Sequence, residues 1–226
     1  MLVVAVARPG SRWPEIEAEL RRSAHDLEIR TSDVGGRGKF ENLNRLLAAP
    51  AFAPPSGDAP PAAAAPPSGP APPDWLLAVD DDVVLPRGFL DRFLAIAERF
   101  DLKIAQPAHR LASHAAWPVT RRRPASVARE TAFVEIGPVT AFHQDTFAAL
   151  LPFPDLRMGW GLDAHWSAVA RDNGWRIGVV DATPILHAVP AANAYGRDAA
   201  IAEARAFLDG RPYVTRDEAR TLRTHR

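Results

Sequence analysis

The sequence has no cysteine, only two lysines (Lys39 and Lys103) and no excess of either charge: 27 Lys+Arg against 27 Asp+Glu leave a formal net charge of +0 over 226 residues. Without cysteine, a disulfide framework, a Cys-ligated zinc and a thiol nucleophile are excluded together. The composition fits a reducing compartment, and the expected location is cytoplasmic. Zero net charge speaks against a general nucleic-acid partner, because neutralising phosphates takes a surplus of Lys and Arg on at least one face. Local patches stay open. No apolar run approaches the ~20 residues that a membrane span needs. The N-terminal Leu2-Val3-Val4-Ala5-Val6-Ala7 has no basic leader and meets Arg8-Pro9-Gly10 too soon for a signal segment. It reads as the first β-strand of a soluble protein.

What is abundant is proline, and it is concentrated. Ten of the chain's 22 prolines fall between Pro50 and Pro73, where Asp58 is the one charged residue. Such a run holds neither a helix nor a ladder, and its Ala and Ser bury little. The expectation is a disordered or polyproline-II insertion at 50–73 in a single domain spanning 1–226, because the ~50 residues before it are too few for a core of their own. Outside it, strand and helix alternate. Leu2 to Ala7 reads as a strand, Pro14 to Ala24 as a helix, Leu27 to Thr31 as a strand and Phe40 to Ala49 as a helix. Trp75 to Val79 reads as a strand, Pro86 to Phe100 as a helix and Leu102 to Ala105 as a strand. Phe133 to Phe142 follows as a strand, Asp145 to Leu151 as a short helix, Asp163 to Asn173 as a helix and Arg176 to Val180 as a last short strand. This order predicts an α/β fold with a mostly parallel central sheet covered by helices on both faces. In such sheets ligands bind at the carboxyl ends of the strands.

Asp80-Asp81-Asp82 stands at such an end, directly after Trp75-Leu76-Leu77-Ala78-Val79. Three adjacent carboxylates repel, and a hard divalent cation is the usual compensation. Side-chain alternation puts Asp80 and Asp82 on one face and turns Asp81 away. Two kinds of enzyme carry Asp-x-Asp after an apolar strand. Asp80-Asp81-Asp82-Val83-Val84 resembles the haloacid-dehalogenase-like phosphatases, but those also need a downstream Lys, and Lys103 follows the motif too closely.

The other resemblance extends further. Gly38-Lys39-Phe40-Glu41-Asn42-Leu43-Asn44-Arg45-Leu46-Leu47 before the acidic strand, Gly159-Trp160-Gly161-Leu162-Asp163 after it, and the segment ending in His187 together resemble GT-A glycosyltransferases of the family 2 type. The string Gln106-Pro107-Ala108, Thr120-Arg121-Arg122, Phe133-Val134-Glu135, Val180-Asp181 and His187 resembles more closely still an uncharacterised group of glycosyltransferase-like proteins.

The resemblance implies a single Rossmann-like GT-A domain that takes a sugar from a UDP- or GDP-linked donor to a hydroxyl acceptor, with inversion. It implies that Asp80 holds the ribose and that Asp82 and His187 hold Mn²⁺ or Mg²⁺. Arg8, Asp33, Gly38, Lys39, Asn44, Asp81, Trp160 and Gly161 are implied around the nucleotide sugar, with Asp33 toward the base. Glycines flanking Trp160 allow a tight turn, and an indole offers a flat apolar face to a sugar ring. Asp163 is implied as the general base; it would also open the next helix, where an N-cap role is the lesser alternative and does not exclude the first. Arg121-Arg122-Arg123 suits a diphosphate, an anionic acceptor or plain solvation. The rival function classes are a nucleotide-sugar-binding protein without turnover and, behind it, the phosphatase.

Overall fold

A computed structural model of the chain describes residues 1–48, 71–187 and 196–226. The Pro/Ala-rich run therefore lies almost wholly outside the described residues. In chain order the elements are β1 (Leu2–Val6), α1 (Trp13–Leu20), β2 (Glu28–Ser32), α2 (Lys39–Leu47), β3 (Trp75–Asp80), β4 (Val83–Val84), α3 (Phe89–Arg99) and β5 (Leu102–His109). They continue with β6 (Ala128–Thr131), β7 (Val139–His143), α4 (Phe147–Leu150), α5 (Leu162–Asp172), β8 (Arg176–His187), α6 (Arg197–Leu208) and β9 (Thr221–His225).

The strands form one sheet in the order β2-β1-β3-β7-β5-β8-β6-β9, with the two-residue β4 paired to β8. Parallel pairs join β1 to β2, β1 to β3 and β5 to β8. β7 enters antiparallel between β3 and β5, and β6 lies antiparallel between β8 and β9. Followed across the sheet, every strand on this path except β7 and β6 points the same way. The sheet is thus mixed and mostly parallel in strand direction.

The reason for two helical layers is visible in β1 and β3, which are apolar on both faces. Val3, Ala5, Leu77 and Val79 pack with Trp13, Ile16 and Leu20 of α1 and with Phe89, Phe93 and Leu94 of α3. Leu2, Val4, Leu76 and Ala78 pack with Phe40, Leu43 and Leu47 of α2, with Leu162 and Trp166 of α5 and with Phe207 of α6. A strand buried this way needs cover on each side. Trp166 meets Phe142 at 5.0 Å and Phe40 at 5.9 Å, both edge-on, and so locks α5 against α2 and β7.

From β1 the chain moves to β2 on one side, whereas from β3 it moves away on the other, so strand order reverses between these neighbours. That crevice is where α/β sheets place ligands. Arg8 follows β1 and Asp80-Asp81-Asp82 ends β3, one on each side of it.

Three expectations about elements are corrected. The segment Phe133 to Phe142 is not one strand: β6 ends at Thr131 and β7 begins at Val139. Gly137-Pro138 interrupts it, since Pro138 has no N–H to give a ladder, and its carbonyl instead accepts the Asp80 amide at 2.7 Å. β8 does not stop at Val180 but runs to His187 through Pro184. The proline is tolerated because the register with β5 is already broken between Pro107 and His109. Finally, α6 and β9 occupy the C-terminal stretch in which the sequence suggested no element.

Candidate metal centre

The end of β8 explains how a distant histidine reaches the aspartates. Val83 of β4 pairs with His187 and Val84 with Leu186, which brings the last residue of β8 beside the turn that follows β3. His187 Nε2 lies 3.3 Å from Asp82 Oδ1. One ligand atom each from Asp80, Asp82 and His187 falls within 4.8 Å of the others. Asp82 Oδ1 is shut off from solvent yet makes no hydrogen bond, a costly state for a carboxylate oxygen that has no further partner. Two carboxylates and an imidazole are a donor set for a hard-to-borderline divalent cation. The three residues fit Mn²⁺ or Mg²⁺.

Around them the charges are already organised. Lys39, the first residue of α2, places Nζ 2.6 Å from Asp80 Oδ1 and 3.4 Å from the Gly137 carbonyl. Desolvation raises the Asp80 carboxyl above the usual carboxylate range and Lys39 pulls the other way. With 30% of the side chain still exposed, the rise is limited. Asp81 does point elsewhere. Its oxygens accept the Arg8 backbone amide at 2.6 Å and Arg8 Nε at 3.0 Å, and although burial opposes ionisation, these bonds hold its carboxyl below the usual range. The Arg8–Asp81 pair ties the end of β1 to the end of β3 across the crevice.

The glycine-rich segment lies against α2. A Cβ on Gly38 would sit 1.7 Å from the Arg157 carbonyl, and one on Gly159 would sit 2.3 Å from the Phe40 ring. Neither position admits a side chain: at Gly38 backbone crosses backbone, and at Gly159 the backbone lies against an aromatic ring. Gly159 and Gly161 both have positive φ, the conformation glycine adopts without steric cost, and Trp160 stands half-buried between them. Gly161 is the residue that caps α5. Asp163 is therefore not the N-cap; it sits in the first turn, one turn before the anchored Trp166.

Asp163 is 5% exposed. Its oxygens accept the Ala164 amide at 2.8 Å and the Ile136 amide at 3.4 Å. Burial, reinforced by the nearby Glu135 carboxylate and opposed by those amides, pushes its carboxyl up to about 7. A short relay of contacts connects it to the cation donors: Ile136 touches Asp163, the next residue Gly137 accepts Lys39, and Lys39 pairs with Asp80.

Glu135, also buried, accepts the Thr120 hydroxyl at 2.9 Å and lies 3.4 Å from His109 Nε2. Burial opposes its ionisation, but His109 and Thr120 outweigh that and hold it below the usual range. The His109 and His187 rings are 6.3 Å apart. Sequence reasoning noted Glu135 within a string but missed His109, which lies past the strand expected at Leu102 to Ala105; β5 in fact runs on to it.

The remaining expected residues are spread around this centre. Asp33 is exposed just beyond β2. Asn44 faces inward and donates to the Phe153 carbonyl at 2.8 Å, so its amide holds the Phe153 segment to α2. Glu203 of α6 carried no signal in the sequence, yet it accepts the amides of Arg157, Met158 and Gly159, each at 2.9 Å. A glutamate on a helix facing an unassigned stretch looks like a solvated residue until the loop it grips is known.

No protein-family model matches the chain, and no curated protein matches it either. Among solved structures, the crystal structure of GalNAc-T7 with UDP, GalNAc and Mn²⁺ superposes with a TM-score of 0.48 at 9% sequence identity, covering 82% of this chain. The chain spans 42% of the length of that one. Among the described residues, no helix is long and apolar enough to cross a membrane.

Proposed function

We propose that the chain is a metal-dependent glycosyltransferase of the GT-A type, moving a sugar from a nucleoside diphosphate sugar to a hydroxyl acceptor with inversion. The observation that carries this reading is the convergence of Asp80, Asp82 and His187 at a sheet crevice, with a buried Asp82 oxygen left without a hydrogen bond. A bound Mn²⁺ or Mg²⁺ supplies positive charge for a departing diphosphate.

The chain's own residues supply the rest. Asp82 and His187 hold the cation, and Asp80, steadied by Lys39, completes its donors or meets the ribose. Arg8, fixed by Asp81, forms one wall of the crevice, with Asp33 beside it toward the base. Gly38, which caps α2, and the Gly159-Trp160-Gly161 loop form the other, and Trp160 offers its indole to the sugar. Asp163 takes the acceptor's proton as the new bond forms. A carboxyl at about 7 suits that step, since a general base works best with a pKa near the working pH.

Thermal-shift measurements with UDP-, GDP- and dTDP-sugars, each with and without Mn²⁺, test the reading, because a ligand that binds only the folded state raises the melting midpoint. A rise for one nucleotide sugar that requires the metal supports it. No rise with any donor, or the same rise under chelator, overturns it.

A further inference from the structure

Behind the metal centre, a buried ion pair holds an exposed basic strap in place. Arg129 and Asp181 are both 0% exposed and meet at 2.8 Å. Arg129 spends its remaining donors on the Val119 carbonyl at 2.7 Å and the Arg121 carbonyl at 2.8 Å, and Asp181 accepts the Arg123 amide at 2.8 Å. The Arg122 amide bonds to the His109 carbonyl at 2.9 Å. The backbone of Arg121-Arg122-Arg123 is thus pinned to the carboxyl end of β5 at His109 and to Asp181 in the middle of β8, the strand that ends in His187. All three side chains are exposed, and among the described residues none of the three guanidinium groups has an acidic partner. Asp181, which accepts the Arg123 amide, and Glu135, which accepts the hydroxyl of the adjacent Thr120, are buried and already paired.

A second feature emerges from the same place. Directly after β5, the turn beginning at Arg110 carries Leu111, which is 79% exposed, more than any other large apolar side chain among the described residues. Burying a charge pair is expensive and often stabilises less than apolar packing would. Here it fixes three exposed cations on a backbone that bonds to His109, two residues before the protruding leucine. A small soluble phosphate would use the guanidinium forks but not Leu111. A bilayer with anionic headgroups uses both, the arginines at the headgroup level and the leucine beneath them.

We infer that this face is a docking surface for an anionic lipid bilayer, which turns the metal end of the sheet toward the membrane. The inference stands apart from the transferase reading; its corollary, that the acceptor hydroxyl is presented at a lipid surface, rests on that reading.

The test is sedimentation of the full chain with vesicles of phosphatidylcholine alone or with about one-third phosphatidylglycerol, in chelator and without any donor, so that the result is independent of transfer. Binding is expected to the anionic vesicles and to weaken as salt screens the charges. R121Q/R122Q/R123Q should lower the partition coefficient by roughly 10²-fold and Leu111→Ser by about 10-fold, with unchanged thermal melts showing that both still fold. Equal binding to both vesicles, no binding, or a triple variant that binds like the wild type overturns the inference. So does displacement by inorganic pyrophosphate together with indifference to Leu111→Ser, which would make the strap a soluble-anion site.

Discussion

Glu203 Oε1 accepts the Gly159 amide at 2.9 Å, and the same carboxylate also takes the amides of Arg157 and Met158. Three consecutive N–H groups converging on one anion make the loop a small nest, filled from inside the molecule. On the same helix, Leu208 reaches 3.2 Å from where a Cβ on Gly161 would be. α6 therefore braces the Gly-Trp-Gly segment at both ends. Glu203→Gln replaces one acceptor oxygen with an NH₂ that faces donors. Hydrogen bonds to a charged group contribute about 1.5–3 kcal/mol, so amide hydrogen exchange at residues 157–159 should accelerate by roughly 10–100-fold. Exchange across α3 should not change. An unaltered exchange pattern at 157–159 would mean that the loop holds itself.

The metal assignment is tested at Asp82. With its Oδ1 buried, unbonded and 3.3 Å from His187, Asp82→Ala removes a cation donor while relieving repulsion with Asp80. The variant should melt no lower than the wild type in chelator, and the rise in melting temperature that Mn²⁺ gives the wild type should vanish. Calorimetric titration with Mn²⁺ alone reads the same point directly. Binding of Mn²⁺ to Asp82→Ala with wild-type affinity would remove this residue from the site.

The acidic end of this site was legible because an apolar run that stops at three carboxylates can hardly be anything but a buried strand reaching the surface. The partition within the triplet also followed from alternation, and Asp81 is indeed turned to Arg8. What brings His187 to Asp82 was not legible: β4 is two residues long, too short to leave a pattern, and Pro184 made β8 look finished before it reached the histidine. The loop between β6 and β7 was hidden for a related reason. Phe133-Val134-Glu135-Ile136 has the apolar content of a strand, but Glu135 points its carboxylate inward to Thr120. Apolar periodicity cannot register a buried acid whose partners come from another segment. Glu203 and His109 belong to the same class, since each acts through a contact distant in sequence.

The buried pair Arg129–Asp181 should dominate the stability of the β8–β6–β9 side of the sheet. Removing one partner leaves an uncompensated charge in the core, which costs about 3–5 kcal/mol. Asp181→Ala should lose that much in urea unfolding, with the metal response retained in whatever fraction stays folded. A loss within experimental error of zero would show that water reaches Arg129 once the aspartate is gone.

Asp163 separates chemistry from binding. If it is the general base, it must be ionised to act, so transfer should rise with pH through a midpoint near its value of about 7 and level off above it. Asp163→Asn should abolish that limb and lower transfer by roughly 10²-fold or more, while the melting shift from donor and Mn²⁺ persists. Stability moves in the opposite direction. The folded-state carboxyl lies above its ordinary 3.8, so the folded protein holds a proton that the unfolded chain releases, and this contribution is complete below about 4 and lost as pH rises through about 7. Asn carries no charge to bury. The melting temperature of Asp163→Asn relative to the wild type should therefore climb between about pH 4 and pH 7 and level off above that. Both measurements use the same variant. A pH-independent melting difference would mean that Asp163 is not buried as a carboxylate here, and near wild-type transfer would move the base to another carboxylate, with Glu135 the next to test.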